Sequence, residues 1–443
     1  MRKLHLKIRV SVFHTEKNGQ STLVTYVEPS PTGGSWEGHR VGTTPYKRLV
    51  VALFFGGFAS SCLIYSVQVL LPMLAKHYQV SAPESAQVMS ATTGAMMVGL
   101  VVAGPVADRV GRARLMRWSL LLSGTFCLIS AFVPTLQLLL IARVLIGLSL
   151  CGFPVSALAY LREEVHTDFH LRANGMYVAG MTIGGTTARL LPIPLHEIGG
   201  WALAASVIGL IGLSASALLF LILPAARRFE TKSANIKRVL LGTFSSPRDP
   251  VIALICVIGF ASMGINTGLY NSTTFRLAAP PLELGAAATL VYIVHPLGAF
   301  GPAIFRRLTD RLGRGYATAI GVGGFAVGLA ILQTTTVPTI MIGLAIGIIS
   351  FVGIHALLTA WVVDRAQRQG SGTAQASSAY LLTFYLGSTV IGIVATHQWD
   401  VAGWNGVALL AFILIGIAAV ATLINTKLDA SPGKNEGHDV AHW

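Results

Sequence analysis

A few ionisable side chains lie inside long apolar stretches of this 443-residue chain, where an unpaired charge is costly. Apart from Arg117, close to the start of one stretch, Arg143 and Arg189 are the only Lys or Arg residues within these stretches, and no Asp or Glu lies near the middle of one. The only histidines near the middle of a stretch are His295 and His355. Because histidine titrates near neutral pH, both are candidates for carrying a proton. The alternative for each is a neutral, hydrogen-bonded residue of the core.

The two arginines suit different chemistry. Arg143 is a candidate for binding an anionic substrate or for tuning a neighbouring proton carrier, since a buried guanidinium needs a cavity or a partner. Hydrogen bonds to backbone carbonyls are its structural alternative. Arg189 lies nearer the end of its stretch, so we expect its long side chain to extend toward the membrane surface unless it too has a functional partner.

Uncharged polar side chains form the third group of candidates. Amides and phenols in a membrane protein either orient a substrate or join helices by hydrogen bonds. The candidates for substrate binding are Gln68, Asn271, Tyr380 and Tyr385, beside Arg143, and similar residues nearby are Tyr65 and Asn266.

Composition and missing motifs exclude several classes of protein. Only 11% of the residues are charged and 53% are hydrophobic, whereas soluble domains carry about 25% charged residues. The net charge of +14 lies in short segments between apolar stretches, so we expect no nucleic acid partner. Neither a phosphate-binding loop nor a His/Cys/Asp cluster is present, so we expect no nucleotide or metal cofactor and no enzymatic activity.

Twelve stretches are long enough to cross a bilayer, which takes about 20 apolar residues. The predicted spans cover residues 49–72, 86–107, 115–133, 136–160, 173–195, 200–223, 251–275, 284–305, 316–334, 337–362, 374–397 and 403–425.

Lys and Arg in the loops predict the orientation of these spans. With the N-terminus inside, 28 of the 32 Lys and Arg residues fall on the cytoplasmic side. The predicted organisation is therefore a disordered basic cytoplasmic tail (1–48), an N-terminal half (49–223), a central cytoplasmic loop (224–250), a C-terminal half (251–425) and a cytoplasmic tail (426–443). We expect the basic segments to face the anionic inner leaflet.

The two halves repeat one another. The basic turn Gly104–Arg114 returns in degenerate form at residues 306–314, with Asp310 following Asp108 by 202 residues. Gln68 and Asn271 are separated by 203 residues, as are the Gly-Trp pairs at positions 200 and 403. Several pairs in one register indicate a duplicated six-span unit, which is a recurrent plan among transporters.

At this point the sequence resembles the major facilitator superfamily. Residues 104–114 match the superfamily signature Gly-x-x-x-Asp-Arg-x-Gly-Arg-x-Arg, and Arg143 with Gly147 matches the core of a second motif. Within the superfamily the chain looks most like the acriflavine-sensitivity (YnfM-like) branch of drug exporters, on the residues around Tyr65–Pro72, Tyr160–Glu164 and Ala376–Ser388. The antiporter motif of the fifth span is present in part, with Gly185 in place of its proline.

The resemblance implies an all-α integral membrane protein of twelve transmembrane helices in two pseudo-symmetric six-helix halves. It implies a monomeric transporter of the inner membrane that moves a small solute by alternating access. Its branch implies proton-coupled efflux of a hydrophobic or drug-like compound. Uptake or facilitated diffusion of a sugar, an amino acid or another metabolite is the alternative. A membrane sensor or a membrane enzyme should carry a signalling domain or a catalytic constellation, and the sequence shows neither.

The basic turns are predicted to form a conformational latch. A carboxylate at Asp108 can accept charge-assisted hydrogen bonds from neighbouring arginines and can face the positive N-terminal end of the eleventh span, near Gly372 and Thr373. Asp310 is expected to play the mirror role toward the fifth span, near Asn174. The alternative is that these arginines only fix the orientation of the chain. The latch residues are Gly104, Asp108, Arg109, Gly111, Arg112, Asp310, Arg311 and Arg314.

Overall fold

A computed structural model describes residues 10–17, 20–27, 37–227, 242–370 and 372–430. Helices dominate this part of the chain, and the first four run back and forth across the molecule. They are α1 (Thr44–Tyr78), α2 (Ala82–Val110), α3 (Arg112–Ser130) and α4 (Leu136–Glu164).

Local sequence signals explain where these helices begin. Thr43 caps α1 by accepting a hydrogen bond from the Tyr46 amide, and a proline follows the cap. A capping box formed by Ser81 and Glu84 starts α2. Gly111 separates α2 from α3 with a φ of 98°, a left-handed conformation that favours glycine.

The next two helices are joined through a bend. The helix α5 (His170–Leu190) is followed by a helical segment, Pro192–Ile222, that is broken at Gly199 and Gly200. Residues 192–198 therefore extend α5, and residues 201–222 form α6.

The second half repeats the arrangement. Its first helices are α7 (Pro250–Ala278), α8 (Gly285–Leu312), α9 (Arg314–Ile331) and α10 (Val337–Arg368). The segment Thr373–Ala430 bends at Gly403, which divides it into α11 (373–402) and α12 (404–430).

The part of the chain that the structure describes contains twelve membrane-spanning helices. Nine helical segments of the described residues are long and apolar enough to span a bilayer, and the last of them contains both α11 and α12. The helices α3 and His170–Leu190 are of spanning length but more polar, since each carries arginine. The predicted number of spans is thus confirmed. Several helices extend beyond their predicted ends; α1, for example, begins at Thr44 rather than at residue 49.

The N-terminal segment differs from its prediction as a disordered tail. Its backbone contains an antiparallel hairpin of strands β1 (Val10–Lys17) and β2 (Gln20–Val27). The two residues between the strands are Asn18 and Gly19, the pair typical of two-residue hairpin loops, and valine and threonine are frequent on both sides. Much of the predicted central loop, residues 228–241, and most of the C-terminal tail, residues 431–443, lie outside the described residues.

Small residues bring the helices of each half into close contact at matching places. A Cβ atom on Gly184 of α5 would lie 2.2 Å from the Phe58 carbonyl oxygen of α1. A Cβ atom on Gly387 of α11 would likewise lie 2.2 Å from the Phe260 carbonyl oxygen of α7. Both positions therefore require glycine, and the two halves pack alike.

The turns α2–α3 and α8–α9 lie at the same end of the molecule, which we call the basic end. At this end Asp249 caps α7 by accepting from the Ile252 amide at 2.9 Å. Its other oxygen accepts from Arg365 of α10 at 2.9 Å and from the Gln369 amide. Burial alone would raise the pKa of Asp249, but these hydrogen bonds outweigh burial and hold it below its ordinary value.

This pKa predicts how acid affects the C-terminal half. A carboxylate with a lowered folded-state pKa stabilises the fold above its unfolded pKa, about 3.9, and the contribution is lost as pH falls through the folded value. Asp249→Asn keeps the helix cap but removes the charge. We expect it to lower the unfolding temperature by a few degrees at pH 7, and the gap to wild type to shrink below about pH 4. A gap that is constant with pH in thermal unfolding scans would contradict this assignment.

Candidate substrate and gating site

Gln68 and Asn271 form a hydrogen bond between the two halves. The α1 helix changes to a short 3-10 stretch at Gln68–Leu70, which turns the Gln68 side chain toward α7. Its Nε2 donates to Asn271 Oδ1 at 2.8 Å, and both residues are fully buried. The Asn271 amide donates in turn to the Gly392 carbonyl of α11 at 3.4 Å. We call the Gln68–Asn271 contact the amide bridge.

Arg189 lies beside the amide bridge rather than at the membrane surface. Only 1% of its surface is exposed. Its Nη2 donates to Gln68 Oε1 at 3.0 Å, and its Nη1 donates to the Gly185 carbonyl at 2.8 Å. The expectation that this side chain extends outward is therefore corrected, because Arg189 lies on the face of α5 that packs against α1 and the other half.

Residues of the C-terminal half complete the surroundings of Arg189. His295 Nε2 of α8 lies 3.4 Å from Arg189 Nη1, and His295 Nδ1 lies 3.2 Å from the Tyr270 hydroxyl. The guanidinium lies 4.9 Å from the ring centre of Tyr65 and 4.8 Å from that of Tyr270. Tyr292 stacks on Tyr270. The sequence identified His295 as a candidate but not Tyr270 and Tyr292. Those two tyrosines join the site only through the packing of α7 against α8.

Arg143 is bound inside the N-terminal half. Its guanidinium donates to three backbone carbonyls, of Val88 at 3.4 Å, Leu63 at 3.3 Å and Ile64 at 3.0 Å. The carbonyls of Leu63 and Ile64 lie just before the 3-10 stretch of α1, where the regular helical hydrogen bonds are interrupted. The structure thus places Arg143 in its structural role, supporting the bend of α1 that carries Gln68.

This placement predicts the effect of removing the Arg143 side chain. In Arg143→Met, three carbonyls lose their donor in a setting without water, at a cost of about 1–3 kcal/mol for each unsatisfied group. We expect a clear fall in the unfolding temperature of the purified protein. The control is Lys76→Met, which removes an exposed cation of the same half. Equal stability of the two variants would contradict the role given to Arg143.

His355 pairs with a tyrosine within the C-terminal half. Its Nδ1 lies 2.9 Å from the Tyr380 hydroxyl of α11. The imidazole packs on Phe384 at 4.3 Å between ring centres and stacks near Phe351. Tyr385 meets Phe384 edge to face. His355, Tyr380 and Tyr385 therefore share one aromatic cluster, in which Phe384 contacts all three.

At the basic end, Asp108 and Arg112 form ion pairs within the N-terminal half. Arg112 Nη2 donates to Asp108 at 3.2 Å, and its Nη1 contacts Glu163 of α4. Arg314 contacts Asp364 of α10 in the same way. Glu163 and Asp364 were not predicted as partners, because they lie far along the chain from the turns that they bind.

The remaining latch candidates are placed at the same end. Arg109, Asp310 and Arg311 have exposed side chains there, and Gly104 lies on α2 above the turn. The structure shows Asp108 with Arg112 rather than at the start of α11, so the predicted contact between Asp108 and α11 stays a prediction.

Among the described residues, the polar contacts between α2 and α11 lie away from the basic end, from the middle of the helices to the opposite end. There the Ala82 amide donates to Asp400 at 3.2 Å, and the hydroxyls of Thr93 and Thr389 lie 3.1 Å apart. Gly104 lies on the same face of α2 as Thr93, three helical turns away. A Cβ atom on Gly104 would nevertheless meet no heavy atom within 4 Å. The two halves are therefore closed at the opposite end and diverge toward the basic end.

Known proteins resemble this chain in sequence. The sequence model of the Major Facilitator Superfamily matches residues 53–380. The inner membrane transport protein YnfM of Escherichia coli is 31% identical over 391 residues, which cover 88% of this chain and 93% of YnfM. The sialic acid transporter NanX of Escherichia coli is 23% identical over 75% of this chain and 81% of its own.

A solved structure has the same fold. A bacterial homologue of the human lysosomal transporter Spinster, inward-facing and unoccupied, aligns with a TM-score of 0.65 at 14% identity, covering 87% of this chain and 98% of that one. The family match and the similarity to YnfM show that this chain belongs to the Major Facilitator Superfamily and is a multi-pass membrane transporter.

Proposed function

We propose that this protein is a secondary active transporter that works by alternating access, and that the conformation described here is open to the cytoplasm. The basic end is assigned to the cytoplasm because positive loops stay inside. The protein then lies in the inner membrane as a monomer with both termini cytoplasmic, and its basic loops face anionic lipid headgroups.

One observation carries the proposal: polar contacts across the two halves lie at the end opposite the basic turns. The amide bridge, the Arg189–His295 contact and the Ala82–Asp400 contact all join the halves there. Contacts of this kind hold one end shut and must break for that end to open. The transport cycle therefore exchanges the amide bridge at one end for latch contacts of Asp108 at the other.

We further propose that transport is coupled to protons. The branch resemblance favours export of a hydrophobic compound, and the aromatic cluster around His355 suits a solute of that kind. His355 and His295 are the proposed titrating groups, because each pairs with a tyrosine hydroxyl that responds to its protonation state.

Movement of a metabolite is the second candidate, and Arg189 favours it. A guanidinium buried between the halves suits a solute with a negative charge better than a neutral hydrophobic compound.

The experiment is flux into proteoliposomes under an imposed pH gradient, with a panel of dyes, sugars, amino acids and organic acids. We expect flux of one class to follow the gradient and to stop when the gradient is collapsed. Flux that is indifferent to the gradient would refute proton coupling. His355→Ala and His295→Ala, measured in parallel, assign the titrating group, since a variant with the wild-type pH profile is not that group.

A further inference from the structure

We propose that Arg189 binds the acid group of an anionic organic solute, and that this binding displaces Gln68 and weakens the amide bridge. The inference rests on the proposed transport function and specifies the chemistry of its substrate.

The first support is charge. Among the contacts that the structure gives for its described residues, Arg189 has no carboxylate partner. Its neighbours are an amide oxygen, a backbone carbonyl, an imidazole and two tyrosine rings. A buried cation is usually paired with an anion, because its desolvation is otherwise poorly offset. A solute carrying a carboxylate supplies the missing charge.

The second support is the geometry of the guanidinium. The Nε–H of Arg189 is buried and has no hydrogen-bond partner among the described residues. The Nε and Nη2 atoms form one edge of the guanidinium, which is an edge that a carboxylate takes with two parallel hydrogen bonds. Nη2 is also the atom that donates to Gln68. A carboxylate that takes both donors therefore competes with the Gln68 oxygen for Nη2.

The third support is the contrast with Arg143 and Arg276, which are also buried in the described part of the chain. Arg143 donates from all of its guanidinium nitrogens to carbonyls within the N-terminal half. Arg276 donates from both terminal nitrogens to the carbonyls of Leu332 and Thr334 in the C-terminal half. Both of these arginines join elements within one half. Arg189 instead lies where the halves meet, and its contacts change when they separate.

The surroundings also suit the body of such a solute. The rings of Tyr65 and Tyr270 lie on the guanidinium, and Tyr292 has a hydroxyl without a partner among the described residues. Tyr292 also lines a cavity of about 280 Å³ that continues between α1, α7 and α8 toward the opposite end. Opening of that end separates Arg189 and Gln68 from Tyr270 and His295, which exposes the binding edge to this cavity.

The test measures binding to the purified full-length protein by intrinsic tryptophan fluorescence. Two pairs of probes, each an acid with an uncharged analogue, distinguish the class of acid that binds. The first pair is 4-hydroxybenzoate with 4-hydroxybenzamide, for an aromatic, drug-like acid. The second is N-acetylneuraminate with its methyl ester, for a polar metabolite. We expect one acid to bind at least about tenfold more tightly than its uncharged partner. We expect this preference to be lost in Arg189→Gln, to persist in Arg189→Lys, and to be unchanged in Lys76→Gln, which removes an exposed cation.

Absence of any preference for the acids in the wild-type protein would overturn the proposal, and so would a preference that survives in Arg189→Gln. Either outcome is distinct from failure of alternating access, because movement of the two halves is measured separately and needs no acidic solute. If Arg189→Gln unfolds, Arg189→Lys and the wild-type comparison of acid with uncharged probe still decide the matter.

Discussion

Replacement of Asp108 by asparagine is expected to trap the transporter in the conformation described here, with the basic end open. The Asp108 carboxylate lies on α2 beside Arg112, at a place where α2 and α11 have separated. In the proposed transport cycle, closure of the basic end brings the start of α11 to this carboxylate. A charge-assisted contact of this kind contributes about 1.5–3 kcal/mol, so its loss lowers the closed population by at least about tenfold.

The measurement is the fraction of molecules with a closed basic end, obtained from spin-label distances, together with the rate of transport. Asp364→Asn is the matched control, because it removes an acidic partner of Arg314 at the same end but within one half. A wild-type closed fraction in Asp108→Asn, or an equal loss in both variants, would remove Asp108 as a latch.

Replacement of Gln68 by leucine is expected to act in the opposite direction. It removes the amide bridge and leaves Arg189 Nη2 and Asn271 Oδ1 without their buried partner. Each unsatisfied buried group costs about 1–3 kcal/mol, and separation of the halves gives both groups access to water. The conformation open at the end opposite the basic turns therefore gains population by about tenfold or more.

A double-mutant cycle with Asn271→Leu isolates the bridge itself. The two changes remove one interaction, so their combined effect should fall short of the sum by about 0.5–3 kcal/mol. Asn266→Leu, which removes another buried amide of α7, serves as the control and should leave the distribution near wild type. Additive effects of the Gln68 and Asn271 changes would show that the amide bridge does not hold the halves together.

The sequence predicted the fold well because apolar length and loop charge depend on local composition. The twelve helices follow from patterns within single segments, and the two halves and the duplicated turn follow from the repeat of these patterns along the chain. The repeat also paired Gln68 with Asn271 at a spacing of 203 residues, although their direct contact appears only when α1 and α7 are brought together.

Side-chain direction was harder to predict. Arg143 and Arg189 look alike in the sequence, as single arginines in apolar helices. Which of them faces the other half depends on the rotation of α4 and α5 within the bundle and on the break in α1, which frees carbonyls beside Arg143. Partners such as Glu163 and Asp364 likewise depend on tertiary packing. The strands Val10–Lys17 and Gln20–Val27 lie in a segment whose basic, polar composition is typical of disorder.

The most direct test of alternating access is the distance between the halves at both ends of one molecule. Spin labels at Val110 and Leu312 report the basic end, and labels at Phe132 and Thr335 report the opposite end; all four side chains are exposed. The four native cysteines are buried and free, which limits background labelling. We predict that the label distance at the basic end is shorter in Gln68→Leu than in Asp108→Asn. At the opposite end we predict the reverse, with the longer distance in Gln68→Leu. If the distances at both ends change in the same direction, or if neither changes between the two variants, alternating access by these contacts is contradicted.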